Sequence, residues 1–282
     1  MNLLSIQSHV AYGHVGNAAA VFALQRIGVE VWPVHTVQFS NHTGYGRWRG
    51  RVFDGEAIGD AVQGIAELGV LGACDGVITG YMGDAGIGRA MLDAVARVRA
   101  TNPAARYCCD PVIGDVGRGV FVREGVGEFM REHAVPAADI VTPNHFELDY
   151  LSGRSSTTMH QALAAVDAVH ARGPRIVLVT SVHTDETPAD AIDLVASDGR
   201  SRFRVRTPKL QLTVNGAGDA IAALFFAHTL RTGSVARALS AATSSVFGVL
   251  RATLATGSRE LALIAAQHEL VEPTQVFEAE RL

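Results

Sequence analysis

The chain has 282 residues, 48% of them hydrophobic, and a formal net charge of −4. That is enough apolar material for one large α/β core, and the basic residues form no cluster of the kind a phosphate backbone requires, which argues against nucleic acid as a partner. Three cysteines, Cys74, Cys108 and Cys109, show neither a disulfide framework nor CxxC spacing and read as reduced thiols buried in strands.

No apolar run reaches the ~18 residues of a membrane span. The first six residues lack the basic start and long apolar stretch of a secretory signal. The expectation is a cytoplasmic protein with no membrane partner.

Short apolar runs rich in β-formers alternate with amphipathic stretches. Residues 3–7 read as a strand and 17–27 as a helix, with Asn17 as N-cap and Gly28 as its stop. Residues 29–37, rich in β-branched side chains, read as the next strand. The segment 46–53 fits a small strand excursion over a site. Residues 56–68 place Ile58, Val62, Ile65 and Leu68 at helical spacing. A strand at 77–79, a helix at 87–99, strands at 105–110 and 140–142 and a buried strand at 175–180 follow. Residues 190–197 and 202–207, joined through Asp198-Gly199, read as a hairpin. Two long helices, 219–232 and 235–256, come last, their apolar faces read as core or dimer contact. The pattern predicts one domain over residues 1–282, a parallel-cored α/β sandwich with right-handed crossovers.

Ligand sites in open α/β sheets lie beyond the carboxyl ends of the strands. The expected strand ends carry Ser8, residues 39–43, Gly80-Tyr81, Asp110-Pro111, Thr142-Pro143-Asn144 and Thr180-Ser181. These polar residues converge over one cleft.

The sharpest motif is Gly216-Ala217-Gly218-Asp219 at the start of a small, apolar helix. Glycines let the backbone approach an anion, and a helix N-terminus directs free N–H groups and a positive dipole end at it. An Asp in that first turn can take a proton from an attacking hydroxyl and should be held ionised by the dipole. Thr142-Pro143-Asn144 with Glu147 has two readings, both open: Asn144 and Glu147 organise the water shell of a Mg²⁺ ion, or they cap the helix. Asp110, followed by Val112 and a run containing Gly114, Gly117 and Gly119, suits an acidic metal site beside a mobile flap. His9, His14, His35 and His42 lack metal-ligand spacing and read as loop or cleft residues.

Taken together these blocks resemble the pyridoxal kinases, the vitamin B6 branch of the ribokinase-like superfamily. The residues that carry the resemblance are 5–10, 15–17, 37–45 (Val-Gln-Phe-Ser-Asn-His-Thr-Gly-Tyr), 79–81, 109–112, 142–147 and 216–219, in order over nearly the whole chain. The 39–45 block narrows it to B6, since a GxGD alone implies only a sugar-kinase-like phosphotransferase. The resemblance implies a ribokinase-like three-layer α/β/α sandwich with a mainly parallel central sheet. It implies ATP as co-substrate, Mg²⁺, and a place for a monovalent cation such as K⁺. Asp219 would be the base, and the backbone of Gly216, Ala217 and Gly218 the anion hole. Asp110, Val112, Asn144, Glu147, Thr180 and Ser181 would border the nucleotide. Asp110, Thr142 and Glu147 would serve the metal. Ser8, Val15, Val37, Phe39, Thr43 and Tyr81 would line the pyridine slot. A homodimer is the family expectation. Three positions depart from the family pattern: Ala217 in place of Thr, polar Asn215 in place of an apolar residue, and Phe121 in place of Tyr.

The function so implied is ATP-dependent phosphorylation of the 5′-hydroxymethyl group of pyridoxal, with pyridoxine and pyridoxamine as further acceptors. A hydroxymethylpyrimidine or other small-alcohol kinase of the same fold is the alternative within enzymes. A B6-binding protein without catalysis is the alternative outside them, and the intact blocks at 144–147 and 216–219 count against it.

Overall fold

A computed structural model describes residues 1–282. Strand β1 (Asn2–Tyr12) leads to α1 (Asn17–Arg26), β2 (Glu30–Asn41), the edge strand β3 (Gly50–Val52), α2 (Gly55–Glu67), β4 (Gly76–Thr79), α3 (Ala85–Thr101) and β5 (Arg106–Cys109). A separate two-stranded hairpin follows, β6 (Gly114–Asp115) with β7 (Gly119–Val120). The chain then passes through α4 (Val126–Phe129), a π-turn over Met130–Ala134 and α5 (Val135–Ala137). Next come β8 (Ile140–Val141), α6 (His145–Ser152), α7 (Met159–His170), β9 (Ile176–Val182), β10 (Ala191–Ser197) and β11 (Arg202–Pro208). Helices α8 (Ala217–Thr232) and α9 (Val235–Thr256) precede the terminal strand β12 (Glu280–Arg281).

The main sheet has 10 strands in the order β12-β11-β10-β9-β8-β5-β4-β1-β2-β3. Pairing is parallel from β9 through β8, β5, β4 and β1 to β2, and antiparallel at both edges. Side chains alternate across it with period two. Leu4, Ile6, Val77, Cys109, Val177 and Val179 enter one core with α2, α3, α6 and α7, while Leu3, Ile78, Cys108 and Leu178 enter the other with α1, α8 and α9. Helices on both faces explain why the central strands are apolar throughout. Residues 220–227 of α8 are all buried, including Phe225 and Phe226, because α1, α9 and the sheet enclose that helix.

The expected elements are present, with bounds that differ by a few residues at most ends, and several expectations are corrected. Asn17 is not the cap of α1: Gly16 is, and Asn17 is buried with its side chain tied to the sheet. Ser8, Phe39, Thr180 and Ser181 lie inside strands, all but Phe39 at irregularities of pairing. Against β1, an extra residue is accommodated on β2 between His35 and Gln38; against β10, an extra residue sits on β9 between Val179 and Val182. Bulges of this kind re-aim side chains, and at the second one Ser181 takes φ 53, the one positive φ outside glycine. Cys74 precedes β4 and is not in a strand, although all three cysteines are free and buried. Helix α9 is long and apolar enough to cross a bilayer by composition, with mean hydropathy 1.3, but 61% of that stretch is buried within the fold. Its apolar residues serve the core.

Candidate active site

All seventeen residues assigned to substrate, nucleotide, metal or catalysis from the sequence line one cleft of about 390 Å³ at the carboxyl ends of the parallel strands. At one end Val10, Val15, Val37 and Phe39 form a small buried cluster apart from the two main cores, with Tyr81 and Val52 packed on it. Ser8 and Thr43 supply hydroxyl groups at its margin. Trp48 stacks on Phe39 with ring centroids 4.0 Å apart and is otherwise exposed, so it backs the slot without lining it.

Buried hydrogen bonds fix the floor beside this slot. Asn17 Oδ1 accepts from the Ser5 hydroxyl at 2.7 Å, and its Nδ2 donates to the Val34 carbonyl at 3.1 Å and meets His35 Nδ1 at 3.0 Å. Burial, aided by the nearby His9, pushes His35 down to about 4, so at neutral pH its ring is uncharged and can accept from the Asn17 amide.

At the other end Gly216 caps α8 in the left-handed region, φ 90, and a Cβ there would collide with the His14 carbonyl oxygen. Only glycine fits that approach. Ala217, Gly218 and Asp219 then open the first turn of α8, whose N–H groups have no partner within the helix. Asp219 is half-buried at the cleft wall. Burial raises its pKa, opposed by the Gly16 N–H facing it and by its own N–H. The sequence reading weighed the dipole and left out this desolvation, which lifts the pKa above the ordinary carboxylate value.

Asp110 is buried, and its Oδ1 accepts from the Thr142 hydroxyl at 2.9 Å while Oδ2 has no protein partner. Its pKa is pushed well up, first by burial and then by the charges of Glu147 and Asp219. Asn144 and Glu147 form a complete capping box on α6. The other Glu147 oxygen, Oε1, accepts from the Ile113 N–H at 2.8 Å and the Gly114 N–H at 3.4 Å, and Asn144 Nδ2 donates to the Gly114 carbonyl at 2.8 Å. The box thus anchors the start of the β6–β7 hairpin. Both Glu147 oxygens thus accept backbone N–H groups, two on Oε1 and one on Oε2. No three or more His, Cys, Asp or Glu side chains converge to hold an ion alone. The donor set, one free carboxylate oxygen of Asp110 with Glu147 and Asp219 near enough for their charges to act on it, fits an ion such as Mg²⁺ that takes most of its ligands from phosphates and water.

Several cleft residues escaped the sequence reading. Val10 lies in the 5–10 block but was given no role; Arg118 carries no motif and lies in the Gly-rich hairpin, 4.9 Å from the Phe121 ring centroid. A second, apolar slot opens beside Thr180, Ser181 and Gly218 and is walled by Leu194, Ile221, Val246 and Phe247. Thr243 also lines it, and its buried hydroxyl has no partner. The α9 face read from the sequence as core or dimer contact is in part the wall of this slot.

This cleft occurs in a chain that is 55% identical to the pyridoxal kinase PdxY of Granulibacter bethesdensis over 99% of both chains. The chain belongs to the pyridoxal kinase family. It is 54% identical to the pyridoxal kinase PdxY of Rubrobacter xylanophilus over 100% of this chain and 98% of that one. Residues 73–263 match the family model for phosphomethylpyrimidine kinase. The fold is that of the pyridoxal kinase of Leishmania donovani in complex with ADP and pyridoxamine, with TM-score 0.93, 30% identity and coverage of 100% and 99% of the two chains. The chain is therefore an ATP-dependent kinase with the ribokinase-like fold of pyridoxal kinases. Ala217, Asn215 and Phe121, the three departures from the family pattern, all line the cleft.

Proposed function

We propose that this kinase transfers the γ-phosphate of ATP to the 5′-hydroxymethyl group of pyridoxal, and to pyridoxine and pyridoxamine. The observation that carries this reading is the adjacency, in one cleft, of the Val10–Val15–Val37–Phe39 slot and the Gly216–Asp219 turn. A flat pyridine ring suits an apolar slot with a few hydroxyl groups at its margin. The hydroxymethyl group then faces Asp219.

In this reading Asp219 accepts the hydroxyl proton as that oxygen attacks the γ-phosphate. A pKa raised by burial makes it a better proton acceptor than an exposed carboxylate. The free N–H groups at the start of α8 take the negative charge of the transferring group, and most of the catalysis is positioning and charge stabilisation. The adenine base occupies the slot beside Thr243, and Thr180, Ser181 and Val112 border the nucleotide. Asp110 is the residue that would hold Mg²⁺ directly, with Thr142, Asn144 and Glu147 orienting it. Held there, such an ion would supply Lewis-acid stabilisation of the phosphate charge. Thr142 and Thr180 also suit a monovalent cation such as K⁺ beside the triphosphate. The β6–β7 hairpin, with Arg118, covers the phosphates. The whole chain acts as one kinase domain, as a homodimer in the cytoplasm, where its three free thiols stay reduced.

A coupled assay of ADP formation over pyridoxal, pyridoxine, pyridoxamine, hydroxymethylpyrimidine and ribose tests this. Rates highest with a B6 vitamer support it. Preference for the pyrimidine alcohol assigns the slot to that substrate, and pyridoxal binding without ADP formation overturns catalysis.

A further inference from the structure

Glu260 lies beyond the end of α9, far along the chain from the loops it joins. Its Oε2 accepts from the His14 N–H at 3.0 Å, and its Oε1 accepts from the Tyr45 hydroxyl at 2.7 Å. Gly13 takes φ +97 beside it, and a Cβ at Gly13 would collide with the carboxylate. Arg259 lies over the Tyr45 ring, 4.4 Å from its centroid. The Tyr45 hydroxyl is pushed up to about 12, first by its hydrogen bond to Glu260, and so remains a donor.

Each loop held in this way reaches the site. The 3-10 turn Thr43–Tyr45 carries Thr43 and follows His42, and both line the cleft. Residues 13–16 carry three contacts. The His14 carbonyl lies against Gly216, Val15 belongs to the ring slot, and the Gly16 N–H faces the Asp219 carboxylate. Glu260 itself does not line the cleft.

We propose that Glu260 is a positioning residue whose single carboxylate sets both the cover of the ring slot and the loop that steadies Asp219. This rests on the reading of the cleft as a B6 kinase site. The two oxygens have separable consequences. The Tyr45 arm holds the turn over the bound ring and acts on substrate affinity. The His14 arm holds the loop that touches the phosphate turn and acts on turnover.

The test compares the parent with Tyr45→Phe, Glu260→Ala and the double variant. Measured quantities are KM and Kd for pyridoxal, KM for ATP, kcat, thermal midpoint, and the rate of tryptic cleavage after the exposed Arg47, Arg49 and Arg51. Loss of a hydrogen bond to a charged group is worth about tenfold or more. Tyr45→Phe should raise KM and Kd for pyridoxal about tenfold, chiefly without loss of kcat. Glu260→Ala should do the same and also lower kcat about tenfold. The double variant should show no further rise in KM, and the KM for ATP should hold. Cleavage at 47–51 should quicken in all three variants without pyridoxal present. Glu260→Ala with KM and kcat within twofold of the parent overturns the proposal, as do losses that follow the thermal midpoint and vanish on cooling. Should Glu260→Ala fail to fold, Tyr45→Phe decides alone, and an unchanged KM and cleavage rate overturn it. An inactive parent defeats the B6 kinase reading; an active parent with silent variants defeats only the role of Glu260.

Discussion

Asn144 and Glu147 cap one another: the Asn144 side chain accepts from the Glu147 N–H at 2.9 Å, and Glu147 Oε2 accepts from the Asn144 N–H at 2.9 Å. With Oε1 on the Ile113 and Gly114 N–H groups, one buried carboxylate joins the start of α6 to the flap.

Glu147→Gln is therefore not silent for folding, because its amide nitrogen must face a backbone N–H. Burial lifts Glu147 from 4.5 to about 7. Between those values the folded chain holds a proton that the unfolded chain has released. This contribution to stability is full below 4.5, is lost as pH rises through about 7, and is flat above. Urea midpoints over that range should fall with pH in the parent, and this share of the fall should be absent in Glu147→Gln. A magnesium titration of the rate gives the second readout. A higher requirement in the variant supports a water-mediated metal role; an unchanged one leaves capping as its whole task.

Asp219→Asn should lower kcat by roughly 10²–10⁴-fold, the usual worth of a positioned base. Kd values for ATP and pyridoxal should change little, since the proton moves only in the transition state. The thermal midpoint should hold or rise, because a neutral amide escapes the desolvation that raises the Asp219 pKa. The acid limb of the parent's kcat profile should lie above the ordinary carboxylate range for the same reason. A variant rate within a few-fold of the parent would make Asp219 a helix-cap residue only.

Tyr81→Ala and Thr43→Ala test the ring slot. Tyr81 packs on the Val10–Phe39 cluster, and its carbonyl accepts from the Thr36 hydroxyl at 2.8 Å. Truncating an aromatic that contacts ligand should weaken pyridoxal binding about tenfold or more, with a smaller loss for Thr43→Ala. Calorimetry should find ATP affinity unchanged. Loss of ATP binding with pyridoxal binding intact would reverse the assignment of the two ends of the cleft.

Two glycine substitutions separate packing from propensity. A Cβ at Gly76 would lie 2.6 Å from Phe226 and 2.8 Å from the Arg106 carbonyl, so Gly76→Ala should destabilise by about 1–3 kcal/mol. Gly64, within α2, has nothing within 4 Å of its Cβ position. Gly64→Ala should stabilise by about 0.5–1 kcal/mol. Denaturant midpoints shifting in the same direction for both would contradict this account of the strand.

The alternation of strands and helices, the hairpin at 191–208 and the helix after Gly216-Ala217-Gly218-Asp219 were legible in the sequence because their causes are local. Period-two and helical spacing, glycine turns and short polar blocks act within a dozen residues. The cleft residues were legible for the same reason: most sit in short blocks toward the strand ends, with 216–219 at a helix start, and a parallel sheet gathers such blocks at one edge. Other roles depended on partners distant in sequence. Asn17 looked like a cap until the sheet brought Ser5 and Val34 against its side chain. That the remaining Glu147 oxygen meets Ile113 and Gly114 was not legible at all, and Asp219 seemed held by its helix until burial set the sign of its shift. The α9 stripe that read as core or dimer contact walls a slot only because α8 and β10 stand opposite it. Glu260 carried no signal at all, since its function is fixed by His14 and Tyr45. A buried polar group is satisfied by whatever the tertiary packing places within about 3 Å of it, and sequence spacing does not encode that neighbour.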